Sequence, residues 1–255
     1  MLVKEPAQRA ALLASLRRLV FWLSVLAVLA TPVFLVTSNV TWAFNFPGLY
    51  THGFQKYEIA PQMVMPFEEL ERIAAEIRAY WNNDAELLDV RYAGKPFFNE
   101  REVTHLRDVK GLVRGVAAWR WVTLGYLLAF VVAGAAWYAM TRDHRALTRA
   151  AAWGGGLTLA LVAACGVAFL VAFDRLFLLF HRLSFANDLW QLACPGDNLV
   201  CLFPEGFWFD ATMLIVLATV AEASLLLALG LAARRLLRQA DRANQRSTSP
   251  DNPAA

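Results

Sequence analysis

The stretch Asn99–Lys110, NEREVTHLRDVK, concentrates more polar chemistry than any other part of the chain. Read as a helix, it puts Arg101, Glu102, His105 and Asp108 at i−4, i−3, i and i+3, on one face. A histidine set between two carboxylates and a guanidinium has the parts of an acid/base centre, because imidazole changes charge near neutral pH. The same four residues equally describe a solvated charged face with an incidental histidine, and helix spacing alone does not divide the two readings. A second stretch, FLLFHRLSFANDLWQLACPGDNLVCLFPEGFW (Phe177–Trp208), carries His181, with Phe177, His181, Ser184 and Asp188 along one helical stripe at i, i+4, i+7 and i+11. Two histidines with carboxylates nearby can serve as general base and general acid without a cofactor. The sequence has no HExxH, no close Cys/His cluster of zinc spacing, and no GxSxG, P-loop or dinucleotide fingerprint. No metal, cofactor, nucleotide or nucleic-acid partner is therefore expected. Of the other histidines, His144 falls in a basic loop and His52 in a Gly-rich segment, and neither has chemical company.

The elements that must carry these residues are mostly membrane spans. Hydrophobic residues make up 58% of the 255, and the mean hydropathy is +0.42. Four runs, Leu19–Val40, Trp121–Met140, Trp153–Phe173 and Ala211–Ala233, are apolar over about the 20 residues that a helix needs to cross a bilayer. The expected fold class is an all-α membrane protein: four transmembrane helices and a small, mainly α extracytoplasmic cap with a short strand pair. The domains then run 1–18 (cytoplasmic tail), 19–40 (first span), 41–118 (cap), 119–140 (second span), 141–152 (cytoplasmic loop), 153–173 (third span), 174–210 (interfacial segment), 211–233 (fourth span) and 234–255 (disordered cytoplasmic tail). The two tails and the 141–152 loop hold twelve Lys and Arg against four acids, whereas the other side, with Arg120 at the edge of the second span, holds twelve against sixteen. The positive-inside rule, which counts Lys and Arg near span ends, puts both termini in the cytoplasm and both histidine-bearing stretches outside. The first apolar run is too long for a signal-peptide core and no A-x-A site follows it, so it reads as an uncleaved anchor, with Pro32 kinking it.

Within the cap, Asn99 caps a helix and Glu102 completes a capping box, with Phe98 and Val103 spaced as a hydrophobic staple. Gly111 and Gly115 are expected to break that helix before the second span. Pro66 opens a helix whose apolar stripe is Phe67, Leu70, Ile73, Ala74, Ile77 and Trp81, and Asn82–Asn83 stops it. Asn45–Gly53 reads as loop, and Leu88, Val90 and Tyr92 as a short strand before the Gly94–Pro96 turn, with Phe54–Ile59 as its partner. Phe177–Trp208 reads as an amphipathic segment lying in the headgroup plane. The small residues Ala150–Ala152 and Gly154–Gly156 allow close helix approach, and Cys165 reads as a packing residue. Cys194 and Cys201 flank the Pro195–Gly196 turn in a compartment where disulfides form, and Cα geometry decides whether they bond. Glu222, inside the fourth span, is by its position either functional or a structural carboxyl facing the other helices, with the structural reading favoured.

The blocks FNEREVTHLRDVK (Phe98–Lys110) and FHRLSFANDLWQL followed by LFPEGFW (Phe180–Trp208) resemble the paired signatures of the lipoprotein intramolecular transacylases, a bacterial family of four-span membrane proteins. FQKYEI (Phe54–Ile59) and IAAEIRAYWN also resemble that family. The two cysteines depart from its pattern, as does the segment Gln62–Pro66. The resemblance implies a multi-pass protein of the bacterial cytoplasmic membrane with its site on the outer face. It implies an acyltransferase that moves the sn-2 acyl chain of a diacylglyceryl-cysteine onto the α-amine of that cysteine, giving a lyso-form lipoprotein. Its partners would be the lipid-modified N-terminal cysteine of lipoproteins and membrane lipid. His105 and His181 would be the catalytic pair: His181 takes the amine proton, His105 stabilises the oxyanion and returns a proton to the sn-2 oxygen, and the roles are interchangeable at this level. Arg101, Glu102, Asp108, Ser184, Asn187 and Asp188 would surround the pair and set tautomer and pKa. The contrasting reading is a non-catalytic membrane protein whose ectodomain binds a lipid or a protein partner.

Overall fold

The computed structural model describes residues 4–247. In chain order, α1 (Lys4–Asn45), α2 (Pro47–Lys56), α3 (Ile59–Met63) and α4 (Phe67–Asn82) precede an antiparallel hairpin of β1 (Arg91–Tyr92) and β2 (Lys95–Pro96). Then come α5 (Glu100–Thr141), α6 (Arg145–Ser184), α7 (Asn198–Leu202) and α8 (Glu205–Ser247). α1, α5, α6 and α8 are each long and apolar enough to cross a bilayer, where a helix is the element that satisfies its own backbone. The fold is thus an all-α membrane protein with a small cap of short helices and one strand pair.

The long helices overrun the expected spans. α1 is helical from Lys4, with Pro32 inside it, so the segment 4–18 is helix rather than tail. The connection between α5 and α6 is only Arg142–His144. α8 continues past Arg242 to Ser247 because Ala, Leu, Arg and Gln are strong helix formers and no Gly or Pro intervenes; the rest of the expected disordered tail lies outside the described residues. Gly111 and Gly115 do not break α5. A glycine costs a helix interior about 1 kcal/mol relative to alanine, too little to end a helix tied down on both sides.

The chain forms two compact units. The first comprises the chain up to Leu35, Trp121–Val162 and the chain from Thr219 onward. Ala27, Phe130 and Ala150 form its buried cluster, and the Tyr126 hydroxyl donates to the Leu23 carbonyl at 2.7 Å. The small-residue run works as close-approach surface: a Cβ on Gly155 would strike the backbone of Ala223 and Leu227, and one on Gly230 the backbone of Ala152.

The second unit comprises Val36–Arg120 and Ala163–Ala218 and contains the larger core. α4 supplies Leu70, Ile73, Ala74, Ile77, Tyr80 and Trp81, all buried, from its apolar stripe. They pack with Phe54, Phe98, Leu106, Leu202, Phe203 and Phe207. Asn45–Gly53 is not a loop: Pro47 begins α2 and Gly53 lies inside it, where a Cβ would strike the Phe207 ring. Glycine there serves packing rather than a turn. Phe54–Ile59 accordingly belongs to α2 and α3, and the strand partner is instead Lys95–Pro96, across the Ala93–Gly94 turn. Phe177–Ser184 is not a separate interfacial helix either, being the last two turns of α6. α6 does break its helical dihedrals at Ala172 (φ −144°, ψ 34°), one residue from the end expected for the third span. Cys165 is exposed rather than packed.

Candidate active site

The start of α5 is held by the expected capping box. The Glu102 backbone N–H donates to Asn99 Oδ1 at 3.0 Å, and the Asn99 N–H donates to Glu102 Oε2 at 2.8 Å. Glu102 is 1% exposed, and its second oxygen accepts the Leu199 N–H at 2.6 Å. Burial raises its pKa, and the Asn99 and Leu199 hydrogen bonds work against that rise. Glu102 therefore fixes two things at once, the first turn of α5 and the segment running into α7.

Further bonds lace that segment to α5. Arg101 Nη2 donates to the carbonyls of Asp188 (2.9 Å) and Gln191 (2.6 Å). Asn187 Nδ2 donates to Asp108 Oδ2 at 2.8 Å, and Asn99 Nδ2 donates to Asp197 Oδ1 at 2.9 Å. Cys194 and Cys201 are disulfide-bonded with Cα atoms 5.2 Å apart, and the ring they close contains Asp197 and Leu199. Arg101, Glu102, Asn187 and Asp188 thus hold chain segments together, and no hydrogen bond links them to the imidazoles among the described residues. Ser184 ends α6, half-buried. Glu222 lies in the other unit, on α8.

The scaffold brings the two histidines together. His105, on α5, and His181, three residues before the end of α6, have ring centroids 6.3 Å apart and planes 30° apart. Phe185 bridges them, 4.9 Å from His105 and 5.7 Å from His181. Phe177 (4.4 Å), Phe180 (5.3 Å) and Trp190 (5.3 Å) complete an aromatic collar round His181. Both rings line a cavity of about 880 Å³ whose remaining walls are largely apolar, among them Val109, Val113, Leu192 and Phe203. Such a cavity has room for part of a lipid and little for solvation of charge.

Each ring has a distinct electrostatic setting. His181 Nδ1 lies 2.7 Å from the Phe177 carbonyl. A carbonyl only accepts, so Nδ1 carries the proton and Nε2 is left with a free lone pair. His105 is 6% exposed, and its Nδ1 is enclosed without a hydrogen-bond partner. Leaving that nitrogen bare avoids an orphaned buried N–H and places the proton on Nε2. Burial first, then the neighbouring His181, pushes the His105 pKa down to about 4, with Asp108 pulling the other way. Burial also lowers His181, against the Phe177 carbonyl. Both imidazoles are neutral at pH 7, one presenting a lone pair and the other an N–H.

Phe185 and Trp190 were not singled out as parts of this site by residue type, because aromatics are common throughout so apolar a chain, and Phe177 was marked only by its place on the His181 stripe. Asp174 and Glu205 also line the cavity. The available signal for Asp174 was its position seven residues before His181 on the same helical stripe.

The family model described as "Lipoprotein intramolecular transacylase Lit" matches residues 25–208. An uncharacterised protein of Aquifex aeolicus (strain VF5) is 25% identical over 148 residues, 57% of this chain. The chain spans 62% of the length of that curated relative. The membrane-integral lipoprotein intramolecular transacylase Lit of Bacillus cereus, solved in meso, superposes with a TM-score of 0.72 at 17% identity, covering 88% of this chain and 98% of its own. A variant of it with a histidine replaced by alanine gives the same TM-score and covers 90% of this chain and 98% of its own. At that identity the likeness is one of fold.

Proposed function

The chain belongs to the lipoprotein intramolecular transacylase family, and from that premise we propose that it transfers the sn-2 acyl chain of a diacylglyceryl-cysteine to the α-amine of the same cysteine. The observation that carries the reading is the pair of neutral imidazoles, 6.3 Å apart, on the wall of one apolar cavity. Amine and ester belong to a single substrate molecule, so the protein's main tasks are orientation and proton movement.

His181 is the base. Its Nε2 lone pair accepts a proton from the amine as the nitrogen bonds to the sn-2 carbonyl carbon. His105 donates its Nε2–H to the oxyanion that develops there. When the carbon–oxygen bond to glycerol breaks, the proton held by the pair ends on the sn-2 oxygen. The products are an N-acyl cysteine and a lyso glyceryl group, and both imidazoles finish neutral. An α-amine has a pKa of about 7.7–8.0, so a neutral acceptor beside it is what the reaction needs. Exchange of an ester for an amide supplies the driving force without a nucleotide. Acyl chains fill the apolar walls, and the site faces the outer leaflet by the charge asymmetry of the connections.

The test is expression in a bacterial host that lacks lipoprotein N-acylation, followed by mass spectrometry of one lipoprotein N-terminal peptide. The expected product is the lyso peptide with an N-acyl cysteine, reduced by about 10²–10⁴-fold in rate in His105→Ala or His181→Ala. An unchanged diacyl peptide in cells making the wild-type protein would sink the reading.

A further inference from the structure

The catalytic cavity has an acidic corner that the acyl shift does not use. Asp174, on α6, and Glu205, the first residue of α8, line the cavity, and burial, then the neighbouring Asp174 carboxyl, raises the Glu205 pKa. Both are exposed, and among the described residues no Lys or Arg stands within ion-pair distance of either. The pair is thus open to a positive group brought by a ligand, on a wall that is mostly apolar apart from Arg182.

A second observation points to the same class of ligand. Three residues beyond Asp174 is Phe177, and three residues beyond Glu205 is Trp208, so each carboxyl has an aromatic ring one turn further along its own helix. Those two rings face each other with centroids 6.4 Å apart and planes 31° apart, and both line the cavity. Carboxyl groups beside aromatic faces are the surroundings that an ammonium group prefers. The Phe177 ring also lies 4.4 Å from the ring of His181. The cavity wall also holds His105, nine-tenths buried with a ring nitrogen unpartnered. Acid pair, aromatic pair and imidazoles therefore all line one cavity.

We propose that Asp174 and Glu205, with Phe177 and Trp208, form the subsite that receives the substrate's free α-ammonium, which gives its extra proton to solvent water as it leaves the carboxyls and reaches His181 as the amine. The inference rests on the transacylase reading for the identity of the substrate. The four residues act in recognition: they favour the molecule whose cysteine still carries a free amine, and they release it once the nitrogen is acylated and uncharged. Product release and substrate selection then follow from the same loss of charge. An ammonium headgroup of a bulk lipid has the same chemistry and is the competitor to exclude.

The probe is an ether-linked dialkylglyceryl-cysteine peptide, which binds but has no acyl group to give up, so its affinity reports on the subsite alone. The full chain is placed in phosphatidylglycerol nanodiscs and titrated with the free-amine peptide and with its N-acetyl form. Wild type is expected to prefer the free amine by about tenfold, the scale of one charge-assisted hydrogen bond. Asp174→Asn and Glu205→Gln, made separately, should each shrink that preference to about twofold, with the N-acetyl affinity unchanged. Glu205→Asp, which keeps the charge, should retain the preference. Equal affinity for the two peptides in wild type, or a preference that survives both neutral variants, overturns the proposal. So does loss of the preference in phosphatidylethanolamine nanodiscs, which would assign the corner to a lipid headgroup. Failure of the acyl shift in cells with the preference intact would sink the function and leave the subsite standing.

Discussion

At the scale of the residue, the two imidazoles set the pH behaviour. The His105 pKa is held near 4 in the folded protein against about 6.5 when unfolded. Between those values the unfolded chain binds a proton that the folded one refuses, so this residue's contribution to stability falls as pH drops from about 6.5 toward 4. His105 stays neutral through the same window, and burial holds His181 below its ordinary value as well. The acid limb of kcat/KM should therefore lie below the ordinary histidine value of about 6.5, which a pH–rate profile with a detergent-solubilised lipopeptide would show. Phe185 packs on both rings and keeps water away. Phe185→Ala should move the acid limb up toward the ordinary value, and an unmoved limb would mean that Phe185 is not the source of the desolvation. His105 and His181 were legible in the sequence because each sits in a polar block inside an apolar chain. The tautomers were not, since they depend on the Phe177 carbonyl and on an absence of acceptors round His105.

At the scale of the element, the start of α5 is the hinge on which the site turns. Glu102 accepts from Asn99 and Leu199 while 1% exposed. Glu102→Ala leaves the buried Leu199 N–H and the part-buried Asn99 N–H unpaired and should cost about 2–4 kcal/mol. A matching fall in Tm and in acyl transfer would support this, whereas an unchanged Tm would show that water replaces the carboxylate. Asn99→Ala removes a cap and the link to Asp197, and should cost about 1–2 kcal/mol. The capping box could be read directly, because its signature is local in sequence. The opposite happened with Asn45–Gly53, whose Pro, Gly and Asn content describes a loop while α2 is helical. Its Gly53 answers to the Phe207 ring, more than 150 positions away, and no local pattern reports such a contact. Arg101, Asn187 and Asp188 were read as tuning the histidines, yet their bonds tie the chain of 187–191 to α5. Charged residues beside a histidine in sequence share its face, but the partner that each finds is a tertiary matter.

At the scale of the whole molecule, the four long helices were the clearest message, because a bilayer demands about 20 residues nearly free of charge and little else produces such runs. Their overrun beyond the apolar stretches was less visible: charged turns are compatible with helix or loop alike, and α5 and α8 stay helical through them. The first unit depends on close backbone contact. Gly155→Leu would collide with the Ala223 carbonyl and the Leu227 backbone, and a membrane thermal-shift assay should show a large loss of Tm. Gly156→Ala, where a Cβ meets nothing, should be neutral or stabilising by up to about 1 kcal/mol.

The bond between Cys194 and Cys201 spans a separation of seven residues, and the ring it closes presents Asp197 to Asn99 and the Leu199 amide to Glu102. Closing so short a loop is worth about 2–3 kcal/mol by restricting the unfolded chain. Formation of the ring thereby depends on an oxidising environment for the segment that carries it. A host that exports proteins into a reducing milieu would insert the polypeptide yet accumulate a slacker form, prone to proteolytic clipping around Pro195–Gly196.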